Sequence, residues 1–292
     1  MTSTRRLTMR LLMTYKTILM NCNDHRRIGC LLTTTLALAT KFQSHVIGLS
    51  VVPPVSVIAT GPLYAPPIIV DAQCQLYREQ NPALRKAFED MTGGKPCTSE
   101  WRDADAGPFG VAEVVLEHGR AADLIVTRQT DPDWPASEWL DVADRLAFES
   151  GRPVLIVPNA HENRPVGARI LVAWNGRREA ARAVFDALAI LKLAKATKVV
   201  WVNSQGDGDA TQTQPAPDIC TALARHGVKC ERTEQVPPQS GVGETLMAHA
   251  KDFDADLLVM GCYGHSRLRE FVFGGASRYF LTKMSMPVLM SH

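Results

Sequence analysis

The chain has 292 residues, 46% of them hydrophobic, with 32 lysines and arginines against 30 aspartates and glutamates. That length suits about two domains, each able to bury a core without disulfide or metal staples. A net charge of +2 gives no electrostatic case for nucleic acid or an anionic membrane surface, and the apolar content excludes wholesale disorder.

The seven cysteines, Cys22, Cys30, Cys74, Cys97, Cys220, Cys230 and Cys262, contain no C-x-x-C pair. They read as reduced thiols of a cytoplasmic protein. No apolar run reaches the length of a membrane span. The basic, Ser/Thr-rich residues Met1 to Thr14 carry only the short apolar run Leu11-Leu12-Met13, too short for a secretory core. Met13 is the expected true start, because the first strand follows directly after it.

In chain order, Ile18–Met20 predicts a strand, and Arg27–Phe42 a helix with Ile28, Leu31, Leu32, Leu36 and Leu38 at helical spacing. His45–Val52 is the next strand. The Pro-bearing stretch Val52–Cys97 is long for a connection and holds a helical pattern over Gln73–Met91. A helix over Gly110–His118, a strand over Leu124–Thr127, a helix over Val142–Glu149 and a strand over Val154–Val157 follow. Pro158 to Gly167 is polar and reads as a linker. Beyond it come strands at Ile170–Ala173, Val199–Val202, Leu257–Met260 and Val288–Met290, with a weaker one near Val228–Glu231. Helices are expected at Arg178–Leu191, Asp218–His226, Glu244–Ala250 and Ser277–Lys283. Short apolar strands alternating with helices predict parallel sheets covered on both faces. Ligands of such sheets bind beyond the carboxyl ends of the strands.

The chain repeats itself once. Lys16–Asn23 resembles Ala168–Asn175, and Gly110-Val111-Ala112-Glu113 resembles Gly241-Val242-Gly243-Glu244. Ala122–Val126 resembles Ala255–Val259, and Pro153–Val157 resembles Pro287–Met290. Four matches in one order predict two copies of one unit, residues 15–158 and 168–292.

There is no P-loop, no G-x-G-x-x-G, no G-x-S-x-G elbow and no Cys/His cluster of zinc spacing. One segment carries chemistry. The strand Leu257–Met260 runs into Gly261-Cys262-Tyr263-Gly264-His265-Ser266-Arg267, and Gly274-Gly275-Ala276-Ser277 opens a helix. Glycines let backbone N–H groups close on an anion, and a helix start adds free N–H groups and a positive dipole end. His265 and Arg267 offer side-chain donors. Equally, these glycines serve a tight turn and close helix packing.

The glycine spacing, with the repeat around it, resembles the universal stress protein family in tandem form. That family closes each domain with G-x2-G-x9-G-[S/T], which Gly261, Gly264 and Gly274 reproduce. The resemblance implies two Rossmann-like domains, each an open, mostly parallel five-stranded α/β sheet flanked by helices and related to adenine nucleotide alpha hydrolases. It implies ATP or another adenine nucleotide, accompanied by Mg, with its phosphates on Gly261, Gly264 and Gly274. It also implies that the second strand of copy two, Val199–Val202, supplies backbone groups to the adenine edge, with Val202 the foremost among them. Gly275 stands where nucleotide-binding members carry Ser or Thr, with Ser277 two residues on. The first strand ends in Asn23 or Asn175 where the family has an Asp that touches the nucleoside. Asn keeps hydrogen-bonding capacity and loses the charge. Trp174 beside it either stacks on a base or fills the cleft.

Copy one reads Arg128-Gln129-Thr130-Asp131-Pro132-Asp133-Trp134-Pro135 where the glycine loop should be. It has no glycine there, and two aspartates oppose phosphate, so copy one is expected to be a structural partner. The resemblance implies that the last strands, Val154–Val157 and Val288–Met290, pair inside the chain as an internal pseudo-dimer, and it allows a homodimer. Three functions remain open on sequence: a stress-response adenine nucleotide binder with at most slow ATP hydrolysis, a nucleotide-free scaffold, and a thiol sensor built on Cys262.

Overall fold

The computed structural model describes residues 14–23, 26–54, 59–60, 63–64, 67–107, 109–131, 142–161, 164–201, 216–233, 241–262 and 275–292. Its N-terminal part runs β1 (Thr17–Asn21), α1 (Ile28–Phe42), β2 (His45–Val52), β3 (Ala59–Thr60), β4 (Leu63–Tyr64), α2 (Pro67–Thr92), β5 (Thr98–Asp105), α3 (Val111–Gly119), β6 (Leu124–Arg128), α4 (Ala143–Glu149) and β7 (Val154–Val157). The C-terminal part runs β8 (Arg169–Ala173), α5 (Arg178–Asp186), α6 (Leu188–Leu191), β9 (Ala196–Val200), α7 (Ala216–Arg225), β10 (Cys230–Arg232), α8 (Val242–Asp252), β11 (Leu257–Gly261), α9 (Ala276–Lys283) and β12 (Val288–Ser291).

Ten strands form one continuous sheet in the order β10-β9-β8-β11-β12-β7-β6-β1-β2-β5. Every neighbouring pair is parallel except β12 with β7. That antiparallel seam places Leu289 opposite Leu155, with Val288 on Ile156 and Met290 on Val154. The α/β class and the mostly parallel sheet expected from the sequence are present. β3 and β4 form a separate two-residue ladder.

The central strands read as unbroken apolar runs because helices cover both faces. Val154–Val157 and Leu257–Met260 are buried throughout. One core lies under α1, α2, α5, α6 and α7, with Leu32, Phe88, Ala183 and Leu223 at its contacts. The other lies under α3, α4, α8 and α9, with Val115, Leu146, Ala250 and Phe280. β5 shows the opposite pattern. Its sequence Thr98-Ser99-Glu100-Trp101-Arg102-Asp103-Ala104-Asp105 is mostly polar, and it is one of the sheet's two outer strands, paired on one side only, with β2. A strand with one partner need not be apolar on either face.

Two expectations shift. The single helix expected over Arg178–Leu191 is broken at Ala187 into α5 and α6. The weak strand expected at Val228–Glu231 is β10, two residues later at its start. Among the described residues no helix is long and apolar enough to cross a membrane.

Candidate functional site

The C-terminal five strands change direction of winding at β8. The chain passes from β8 to β9 on one side, and β11 lies against β8 on the other. Such a crossover leaves a crevice at the carboxyl ends. Here it is a cleft lined by residues that include Trp174, Asn175, Glu179, Val200, Met260 and Gly261.

Trp174 follows β8, and its backbone N–H donates to Val200 O at 2.9 Å, extending the ladder by one step. The side chain is only 8% exposed. Its indole Nε1–H is buried and has no acceptor among the described residues. An indole N–H in such a position normally finds a partner.

Asn175 is exposed, and its Oδ1 accepts from the Arg177 backbone N–H at 3.1 Å. The side chain therefore turns the chain into α5. The matching Asn23 does something else. It is buried, donates from Nδ2 to Val51 O at 2.5 Å and accepts from the Val51 N–H at 3.1 Å. Asn23 thus ties β1 to β2, where Asn175 leaves its crevice open.

Gly261 ends β11 under the first turn of α5. A Cβ there would lie 2.4 Å from the Glu179 carbonyl carbon and 2.5 Å from the Ala180 nitrogen. Only glycine lets the helix start this close to the strand. The consequence is the burial of Glu179, 5% exposed and among the cleft's lining residues. Burial pushes its carboxyl up, but the hydrogen bond from Arg178 Nε, the residue's own backbone N–H, and the charges of Arg178 and His292 together hold it below the ordinary range. Glu179 is thus a buried carboxylate in its charged form.

The registers of β1 with β6 and of β8 with β11 put Arg128 at the place of Gly261. There the helix cannot come so near, and α1 begins at Ile28, five residues past Asn23, whereas α5 begins three past Asn175. The corresponding space carries ion pairs. Arg26 and Arg27 lie 3.1 and 3.3 Å from the Asp131 carboxylate, which is almost buried. Asp131, expected to oppose phosphate, is held by two arginines of its own chain.

Of the residues singled out in the sequence, Asn175 and Gly261 line the cleft. Gly275 and Ser277 open α9, with Ser277 buried, and are not among the cleft's lining residues. Val202, Gly264, His265, Arg267 and Gly274 lie outside the described residues. Cys262 is fully buried, and its Sγ donates to Ala147 O at 3.2 Å and Ser291 O at 3.4 Å. Cys22 is buried too, and burial drives its thiol far above the usual value. Neither thiol has the exposure that a reactive cysteine needs. Among the described residues no three His, Cys, Asp or Glu side chains gather as a metal site. Sequence reasoning missed Glu179, because nothing in its neighbours marks it. Only the close approach permitted by Gly261 makes it a cleft residue.

The fold defines an α/β protein of the Rossmann-like kind, with a crevice at one crossover. A domain of the Universal stress protein family occupies residues 168–292, the span over which that family's model matches. Universal stress protein Slr1230 of Synechocystis sp. (strain ATCC 27184 / PCC 6803 / Kazusa) is 44% identical over 46 residues, and this match covers 16% of the chain and 16% of that relative's length. A universal stress protein from Archaeoglobus fulgidus DSM 4304 superposes with a TM-score of 0.69 at 14% identity, covering 94% of this chain and 95% of that one. A putative universal stress protein from Pseudomonas aeruginosa UCBPP-PA14 gives 0.57 at 18% identity, covering 95% and 93%. At these identities the structural likeness speaks for the fold.

Proposed function

We propose that the protein is a cytoplasmic stress-response binding protein of tandem universal stress protein type, with units at 15–158 and 168–292. The second unit takes ATP or another adenine nucleotide, with Mg where phosphates call for it. The first is a structural partner joined to it as an internal pseudo-dimer. The observation that carries this reading is the buried indole N–H of Trp174, unpartnered among the described residues, beside the crevice at the β8 crossover. A heterocyclic or sugar acceptor would satisfy that donor.

In this reading the nucleoside end sits among Trp174, Asn175, Val200 and Met260. Val202 offers backbone groups to the base. The phosphates run toward Gly261, Gly264, His265, Arg267 and Gly274, with Gly275 and Ser277 at the helix start. The bonding of Asn23 to Val51 and the pairing of Arg26 and Arg27 with Asp131 support a first unit that binds no nucleotide.

The test is calorimetric titration of the whole chain with ATP, with and without Mg, and with adenosine. Mass spectrometry of what leaves the protein on denaturation accompanies it. Saturable binding with one site per chain is expected. No heat and no displaced adenine compound at millimolar ligand would overturn the reading.

A further inference from the structure

The cleft contains a charge that a phosphate-binding site does not want. Glu179 is forced into it because the first turn of α5 rests on Gly261 with no room for a side chain between. Its side chain is 6% exposed, while the side chain of Arg178, which pairs with it, is 82% exposed. The carboxylate is therefore shielded from water and its counter-ion is not, so the arginine's charge is screened more strongly than the glutamate's. The Glu179 backbone also occupies the Cβ side of Gly261, so on that side the glycine is spent on packing and does not face an anion.

Resting on the adenine-nucleotide reading above, we propose that Glu179 sets the charge of the ligand this cleft accepts, favouring an adenine nucleoside or monophosphate over the triphosphate. Each added phosphate brings negative charge toward Gly261 and the carboxylate beside it. Like charges a few ångströms apart in a partly desolvated crevice are worth about a factor of ten or more in affinity. Trp174 and Glu179 then act as a complementary pair: one buried donor without an acceptor, and one buried acceptor that a ligand hydroxyl or amine would suit.

The test uses the full chain and three probes, adenosine, AMP and metal-free ATP, titrated at low ionic strength. Wild-type protein is expected to bind in the order adenosine or AMP before ATP, and added Mg, which neutralises the triphosphate, is expected to recover ATP binding. In Glu179→Gln the ratio of the ATP to the adenosine dissociation constant should fall at least about tenfold. A wild-type preference for metal-free ATP, or a ratio unchanged by Glu179→Gln in protein that melts as the wild type does, would overturn the proposal while leaving nucleotide binding intact. If the variant fails to fold, the wild-type order and its Mg response decide the matter alone. Absence of binding by all three probes would overturn the adenine reading itself, and this inference with it.

Discussion

Gln129 and Cys262 stand at equivalent places, each one residue past the strand beside its half's edge of the seam, and each reaches across it. Gln129 Nε2 donates to Leu281 O at 3.2 Å, and Cys262 Sγ donates to Ala147 O at 3.2 Å. With Leu155 facing Leu289 at the centre of the antiparallel pair, the seam has an approximate two-fold relation. The two crevices do not share it. In one, Asn23 bonds to Val51 and Arg26 and Arg27 pair with Asp131; in the other, Asn175 is exposed and, among the described residues, the Trp174 indole N–H has no acceptor.

Gly261→Ala should destabilise the protein by about 1–3 kcal/mol, the usual cost of forcing atoms into a packed site. The obstructing atoms are backbone atoms of Glu179 and Ala180, which cannot swing aside as a side chain would. Urea unfolding monitored by circular dichroism measures this. An unchanged midpoint would mean that α5 does not rest on β11 as described.

Asn23→Ala and Asn175→Ala should differ, although the two asparagines look alike in sequence. Losing the two Asn23 bonds to Val51 leaves buried backbone groups unpaired and should cost about 1–3 kcal/mol. Losing the exposed Asn175 bond to Arg177 should stay within about 0.5 kcal/mol. Equal losses would contradict the closed-against-open contrast of the two crevices.

Trp174→Phe keeps an aromatic ring and removes the unpartnered N–H. Burying a donor without an acceptor costs about 1–3 kcal/mol, so ligand-free stability should hold within about 1 kcal/mol despite the smaller ring. Adenosine affinity should fall by roughly 3–10-fold, the worth of one hydrogen bond. A variant that loses stability and keeps its affinity would show that the indole N–H serves the fold instead.

His161, after β7, gives a pH dependence. Burial, chiefly, pulls its pKa below the ordinary 6.5, with the Arg164 charge adding to this and an Arg164 backbone bond opposing it. The folded state therefore prefers neutral imidazole, and the unfolded chain binds the proton first. The stability from this group is complete above pH 6.5 and is lost as the pH falls through that value toward the folded pKa. Urea midpoints between pH 7.5 and about pH 5 should fall less in His161→Gln than in the wild type. Identical slopes would remove His161 as a source of acid sensitivity.

Much of the architecture was legible because its central strands are buried on both faces. Val154–Val157 and Val288–Met290 are apolar without interruption and read as strands from composition and repeat, and the family resemblance implied their pairing at the seam. Thr98–Asp105 was not legible as a strand, since an outer position lets it be polar. The site was half legible. Gly261 was singled out by glycine spacing and Asn175 by the family resemblance, and both line one crevice. The different work of Asn23 and Asn175 depends on what the adjacent strand offers, which no local pattern records. Glu179 was hidden for the same reason: its burial is decided by a glycine on a strand far along the chain.

The antiparallel join of β7 to β12 lies within one polypeptide, so it is formed once, on folding, and does not answer to dilution. Two separate subunits meeting through the same edge would part at low abundance and would have to be identical to pair symmetrically. Covalent linkage lifts both conditions. The two sides of the seam are then free to differ, as the buried Asn23 and the exposed Asn175 do.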